Sequence, residues 1–382
     1  MRSPESIPAP TAPAPDFRRD LYHITKFDSR ALKVLFLLAD SWGCGFYRGM
    51  LPAMAINKYF SDEVNVVVSN FLSPEDADIG GQYPDWDIIV HQRQTVQDHI
   101  VLGQKCTANM KTVNVYEIDD DLLHLDLRSP CRLHYTHDKV SQMQHNMRSC
   151  DYISVTTPKL KELYTSTNPN IRVLPNGVDT GMYTKVRKTK VDYEKKDLVI
   201  GWTGTATHWS DLTIVTAAVK TILERHPNVK FLLGGWDDCP LFQDIPSARI
   251  IRIPWTSNML THADNIGLID IGICPLTDSV FNQSKSNIKI LELAAAGIPV
   301  VASDVPAYNT TIKHGVHGLL VPSVGASYKR WVAALETLIQ HPELRQRYGR
   351  AVYDLVCAKF DIRLMAKRWV EFYKEIKSCQ KS

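Results

Sequence analysis

FNQSKSNIKILELAAAGIPVVASD, residues Phe281–Asp304, decides how this chain is read. It divides into a loop, a short helix, a glycine stop and a buried strand. Ser284 or Ser286 is placed to cap the helix start, and Gly297 to end it in the left-handed conformation. Pro299 leads into Val300, Val301 and Ala302, an apolar run of strand type. Lys285, Lys289 and Glu292 are spaced i, i+4 and i+7 and share one face, while Ile288, Leu291 and Ala295 lie on the neighbouring core face. Cations at a helix start suit phosphate groups. A carboxylate, which only accepts hydrogen bonds, suits a pair of hydroxyls. The same spacing also describes a solvated helix face with i, i+4 charges, so the surrounding chain has to decide.

With 382 residues, the chain is long enough for two domains. Its 44% hydrophobic and 22% charged residues are those of an ordinary globular protein, and a net charge of +3 neither demands nor excludes a nucleic-acid partner. No run approaches the roughly 18 apolar residues of a membrane span. Residues 1–29 open with MRSPESIPAPTAPAP, which lacks the apolar run of a signal peptide and reads as a disordered Pro-rich tail and lead-in. Eight scattered cysteines without a CxxC pair suit reduced thiols better than disulfides or zinc, which makes the cytoplasm the expected setting.

Strands alternate with helices on both sides of the organising stretch. ALKVLFLLA (31–39) is a buried strand that runs into a Gly-rich turn and a helix near Pro52, the first unit of a doubly wound fold. Further strands are expected at 64–68, 86–90, 111–118, 149–155 and 171–174. The polar, cation-rich segment 181–197 reads as a linker, with Lys185 to Lys190 solvated. A second series follows, with strands at 198–202, 229–233, 248–253 and 269–274, then the organising stretch, the segment HGVHGLLV and helices at 327–340 and 362–377. The expectation is an α/β chain of two Rossmann-like domains, 30–180 and 198–358, with a cleft at the carboxyl ends of their strands and a closing segment at 359–382.

Several loops fall at that cleft. In GWTGTATHWSD, Gly204 permits a close backbone approach, and Thr205, Thr207 and His208 add side-chain donors for an anion. A tight turn before a helix is the competing reading. The loop is not GxGxxG, which disfavours a nicotinamide-dependent oxidoreductase. Asp119, Asp120 and Asp121 close a strand. They could hold a divalent cation, cap the turn, or bind sugar hydroxyls with His124 beside them. Gly43, Gly45, Tyr47 and Arg48 form the first loop, where Arg48 is placed to meet an anion. His91 and Arg93 follow the third strand as further cleft candidates.

LPNGVD (174–179), GWTGTATHWSDL (201–212), KSNIKILELAAAGIPVVASD (285–304) and HGVHGLLV (314–321) together resemble the group 1 (family 4-like) retaining glycosyltransferases of the GT-B fold. The motifs match in order over the second half. The first half matches in architecture and in GCGFYR and DDDL, which resemble a branch with phage-encoded members. The resemblance implies a nucleotide-sugar donor, with a UDP-sugar the expected one, held by the second domain without a metal or other cofactor. Glu292 would bind the ribose, Gly204 and Thr205 would approach the diphosphate, and Lys285 or Lys289 would neutralise it. The family often carries a second Glu eight residues before the ribose-binding one. Ser284 stands there, so sugar contacts would come from Ser284, Lys285, Ser286 or Asn287. The resemblance also implies that helix 362–377 crosses back onto the first domain.

The expected chemistry is transfer of a hexosyl or pentosyl group with retention. Lys289 would stabilise the leaving diphosphate, and Asp120 or His124 would orient the acceptor. The acceptor is a glycan, a small hydroxylated molecule, or a 5-hydroxymethylpyrimidine in DNA. The last would need a basic edge, for which Arg18, Arg19, Lys26, Arg48, Arg93, Arg128, Arg132 and Lys139 are the candidates. A nucleotide-sugar epimerase and a degenerate sugar-nucleotide binding protein are the other readings.

Overall fold

The computed structural model describes residues 30–69, 86–95, 112–125, 131–322 and 327–379. The expected tail at 1–29 lies outside them, as do Arg18, Arg19, Lys26 and Arg128.

The first domain is built on β1 (Leu32–Leu37), β2 (Val64–Ser69), β3 (Ile88–Gln92), β4 (Val113–Ile118), β5 (Tyr152–Val155) and β6 (Ile171–Val173). All pair in parallel, in the order β2-β1-β3-β4-β5-β6. Every residue of β2, β3 and β4 is buried, as expected of strands covered on both faces. The helices include α1 (Leu51–Tyr59), α2 (His137–Ser149) and α3 (Pro158–Tyr164). A π-helical turn, Phe46–Met50, precedes α1. The second domain has β7 (Leu198–Thr203), β8 (Val229–Gly234), β9 (Ile250–Ile253), β10 (Ile271–Cys274), β11 (Val300–Asp304) and β12 (Gly318–Pro322), in the order β12-β11-β10-β7-β8-β9. Its helices include α4 (Trp209–Arg225), α5 (Met259–Ile266), α6 (Ile288–Ala295), α7 (Ser327–Gln340) and α8 (Pro342–Lys359). Strand order reverses between β1 and β3 in one sheet and between β7 and β10 in the other. Crevices form at such switch points, and here the two face each other.

The last helix, α9 (Ile362–Cys379), leaves the second domain and packs on the first. Its buried Trp369 meets Phe36 edge-on at 6.1 Å and lies under the Arg48 guanidinium at 5.2 Å. The expected crossing helix is therefore present.

Two local expectations change. The organising helix starts at Ile288, with Asn287 at its N-cap and no side-chain cap, so neither Ser284 nor Ser286 caps it. Gly297 does end it, at φ 69°. The segment expected as a solvated linker keeps Lys185 and Lys190 exposed, but it is anchored on the second domain. Tyr183 and Tyr193 are buried, a Thr189–Asp192 capping box closes a short turn, and Lys188 donates to the Gly267 carbonyl and to Asp270 at 2.9 and 3.1 Å. Its cations masked the alternate tyrosines that anchor it.

Candidate active site

A cavity of about 260 Å³ lies between the domains at the carboxyl ends of both sheets. The first domain lines it with Trp42, Gly43, Cys44, Tyr47, Asp119, Asp120 and Asn176. The second contributes the turns after β7, β8 and β9, and one face of α6.

Lys289 and Glu292 lie one turn apart on α6 and serve different parts of this cavity. Lys289 Nζ donates to the Thr203 carbonyl at 2.7 Å and sits 5.1 Å over the Trp202 ring. A Cβ at Gly204 would fall 2.5 Å from that ring and 2.8 Å from Nζ, so the glycine is what admits the ammonium. Burial lowers the Lys289 pKa against the pull of Glu292. Lys285, on the loop before the helix, lies 4.5 Å over the Phe281 ring and is half-buried.

Glu292 accepts from Tyr47 Oη at 2.6 Å and His262 Nε2 at 3.1 Å, both on Oε1. Burial alone would raise its pKa, but His262, Tyr47 and Lys289 together hold it below the usual carboxylate range. Burial and this carboxylate push the Tyr47 phenol well up, so it remains the donor. Oε2 takes no hydrogen bond among the described residues and is left for a ligand.

Across the cleft, Arg93 has φ 47° and forms ion pairs with Asp119 and Asp120, the latter at 3.2 Å. Burial would raise the Asp120 pKa, but Lys285 from the opposite domain, Arg93 and His208 lower it. Asp119 and Asp120 line the cavity; Asp121 does not. It is buried, with Oδ2 2.7 Å from His124 Nδ1, and the His124 ring faces half outward to solvent. No group of His, Cys, Asp and Glu able to hold a metal is found among the described residues.

Other expected site residues are placed elsewhere. The Arg48 guanidinium is buried, pairs with Glu117 at 2.7 Å and donates to the Leu174 carbonyl and Asn176 Oδ1. It holds the first domain to its 174–176 loop instead of reaching an anion. Burial carries its partner Glu117 up to about 7. His91 is fully buried between β3 and β4, 3.0 Å from Asn114 Oδ1. At Gly45 a Cβ would strike the Asp40 carbonyl, so this glycine serves the turn. Asn287 bonds Thr311 at 2.8 Å, and Thr205 bonds Thr207 at the cavity wall.

Ser284 is fully buried. Its Oγ donates to the Phe281 carbonyl at 2.7 Å, and its own carbonyl accepts from Thr157 Oγ1 at 2.9 Å. It bonds its own loop and the first domain and does not line the cavity. Ser286 does line it, and accepts from Asn176 Nδ2 at 3.0 Å. Thr157–Ser284, Asn176–Ser286 and Tyr47–Glu292 thus all bring first-domain groups to the 281–304 stretch.

Sequence reasoning missed Asp211, His262, Asn176 and the Trp42–Trp255 pair, whose rings meet across the cavity mouth at 5.2 Å. Asp211 was legible in principle, being i+3 from His208 at a helix start. His262 lies 30 residues before Glu292 on another helix, and nothing local announces their contact.

Comparison with known proteins agrees with this architecture. Residues 197–341 match the family model "Glycosyl transferases group 1". The chain is 22% identical over 220 residues to a D-inositol 3-phosphate glycosyltransferase of Segniliparus rotundus, which covers 50% of this chain and 44% of that one. It is 27% identical over 163 residues to an alpha-D-kanosaminyltransferase of Streptomyces kanamyceticus, covering 42% and 41%. The chain thus spans less than half the length of these two relatives. Among solved structures, HepE of Anabaena in complex with UDP and glucose superposes with a TM-score of 0.60 at 15% identity, covering 90% of this chain and all of that one. Sucrose-phosphate synthase of Thermosynechococcus elongatus gives 0.63 at 14%, covering 92% and 100%. The likeness to group 1 glycosyl transferases is thus carried by residues 197–341, and the chain that holds them has the GT-B fold.

Proposed function

We propose that this chain transfers a sugar from a nucleoside diphosphate sugar to an acceptor hydroxyl, with retention at the anomeric carbon and without a metal. The observation that carries this reading is the division of labour on α6. Lys289, with Lys285 one turn before it, is placed for a diphosphate, while Glu292 turns a free carboxylate oxygen into the same cavity. A uridine nucleotide is the first donor to test, because HepE, a structural neighbour, was solved with UDP and glucose.

The two ammonium groups would balance charge developing on the leaving diphosphate, in place of a divalent cation. The carboxylates of the cavity are already committed: Glu292 to Tyr47 and His262, Asp119 and Asp120 to Arg93. The free oxygen, Glu292 Oε2, is given to the donor's ribose hydroxyls, which leaves none of the three as an enzymic nucleophile. This favours a front-face route in which the leaving phosphate takes the acceptor proton. Asp120, facing Lys285 from the other wall, is positioned to orient the acceptor hydroxyl.

The acceptor would enter from the first domain. Of the cations considered for a DNA-facing edge, Arg48 and Arg93 are buried in ion pairs, which favours a glycan or small hydroxylated acceptor over duplex DNA. The test is mass spectrometry of candidate acceptors, hydroxymethylated DNA included, after incubation with a panel of UDP-sugars. Donor-dependent mass gain that is lost in both Lys285→Ala and Lys289→Ala is expected. Turnover that survives both substitutions refutes the assignment, and conversion of donor alone to an epimer replaces it.

A further inference from the structure

The side chain of His208 is held by a second residue whose own contacts decide which ring nitrogen carries the proton. Asp211 stands in the first turn of α4, buried. Its Oδ1 accepts from Thr277 N at 2.9 Å, Thr277 Oγ1 at 3.1 Å and Asn282 Nδ2 at 2.7 Å. Its Oδ2 lies 2.7 Å from His208 Nδ1. A backbone N–H and an amide N–H are donors only, so Oδ1, which accepts from both and also meets a hydroxyl, carries no proton. Burial alone would raise the Asp211 pKa; His208, the Thr277 N–H and Lys285 lower it. An ionised partner at Oδ2 requires the proton on Nδ1.

A neutral imidazole carries one N–H, so Nε2 then presents a lone pair. The ring lines the cavity, packed edge-on against Trp202 with centroids 6.1 Å apart. The charged groups around it are Asp211 on its own helix, Lys289 on α6, Lys285 on the preceding loop and Asp120 across the cleft. Burial first, then the two lysines, take its pKa down to about 4, so the ring is neutral at physiological pH. His208 is thus unsuited to donate to a phosphate there. It can accept from a hydroxyl.

Elsewhere on this wall that property belongs to Glu292 and to the Ser286 and Thr205 hydroxyls, the two hydroxyls already bonded within the protein. Lys285 and Lys289 only donate. Ser284 Oγ is turned into its own loop, and Glu292 lies a turn further along α6. A sugar joined to a diphosphate held by the two lysines carries its hydroxyls close to the phosphate, and His208 lines the same cavity as Lys285 and Lys289 and feels the charge of both.

We propose that His208, oriented by Asp211, Thr277 and Asn282, is the hydroxyl-accepting group that recognises the transferred sugar of a nucleoside diphosphate hexose. The inference rests on the donor-pocket reading above. Asp211 is a positioning residue, acting through the tautomer it imposes.

Asp211→Asn tests this directly. The three donors at Oδ1 hold the amide oxygen on their side, so the amide NH₂ turns to His208. The ring must then accept at Nδ1 and carry its proton on Nε2. Nitrogen-15 NMR of the histidine-labelled full chain should show an Nδ1–H tautomer for His208 in wild type and an Nε2–H tautomer in Asp211→Asn. Calorimetry with UDP, UDP-glucose, UDP-galactose and UDP-N-acetylglucosamine reads the consequence as the preference for each sugar nucleotide over UDP. At least one is expected to be preferred by wild type, and that preference should fall about tenfold in Asp211→Asn and His208→Ala, the size of one lost hydrogen bond. His208→Gln, whose amide oxygen reaches the place of Nε2, should restore part of it and keeps the test open if Asp211→Asn does not fold. An Nε2–H tautomer in wild type, a preference unchanged by the variants, or UDP bound as well as every sugar nucleotide overturns the inference and leaves the donor pocket standing. Failure of wild type to bind UDP or any of the three overturns both.

Discussion

Ser284 shows how much one side chain's direction matters. Its position in the motif suggests a sugar contact, yet the hydroxyl is buried against the Phe281 carbonyl and the residue ties the loop to Thr157. Ser284→Glu is therefore expected to lower stability by roughly 3 kcal/mol, through an unpaired buried charge, without improving turnover. A chemical denaturation midpoint unchanged from wild type would contradict this. Glu292→Gln should weaken donor affinity about 10- to 100-fold, since a hydrogen bond to a charged acceptor is lost, with little change in the melting temperature; calorimetric titration checks it. His208 gives a pH dependence of known sign. Its folded pKa of about 4 lies below the reference 6.5. The unfolded chain therefore takes up the proton first, and stability is lost as pH falls from about 6.5 towards 4, then levels off. Above 6.5 the group contributes no slope. The loss is at most ~3 kcal/mol. Urea unfolding of wild type and His208→Gln across that window should diverge as pH drops; parallel curves would refute it.

At the scale of elements, the turns after β7 and β8 are built against each other. Gly204 N donates to the Gly234 carbonyl at 2.9 Å, and Gly235, at φ 83°, would set a Cβ 2.5 Å from the Gly204 carbonyl oxygen. Gly235→Ala meets both left-handed strain and a backbone clash, so a loss of more than ~2 kcal/mol is expected. Because the displaced strand end carries Thr203, the ligand of Lys289, donor affinity should fall with it. Thermal melting and UDP titration of the one variant read both effects. The π-helical turn Phe46–Met50 acts similarly on the facing wall, turning Tyr47 to Glu292 while Arg48 turns to Glu117.

Across the whole molecule, α9 joins the halves. Ile362, Met365, Trp369, Phe372, Tyr373 and Ile376 all enter the core of the first domain. At ~1.5–3 kcal/mol for each buried side chain, their removal costs as much as the whole stability of an ordinary domain. A chain ending at residue 361 is expected to lose the fold of the first sheet and with it the cavity. A cooperative, native-like melt of that chain would show that α9 is dispensable.

Much of the architecture was legible without coordinates, because strands covered on both faces are mostly apolar and glycine is favoured where φ is positive. Val64–Ser69 and Val300–Asp304 declare themselves in this way, and Gly297 marks the helix end. The shared face of Lys289 and Glu292 followed from helical period alone. What periodicity does not carry is which partner, distant in the chain, a polar group meets. Arg48 read as a cleft cation and is a buried strut, His91 read as a cleft residue and is core, and the 181–197 segment read as a linker and is anchored by two tyrosines. His262 and Tyr47 converge on Glu292 from 30 and 245 residues away. Local pattern sets which face of an element is apolar. Only the packed molecule, by pairing each buried polar group with a partner or leaving it to the cavity, separates the residues that bind from those that hold the walls.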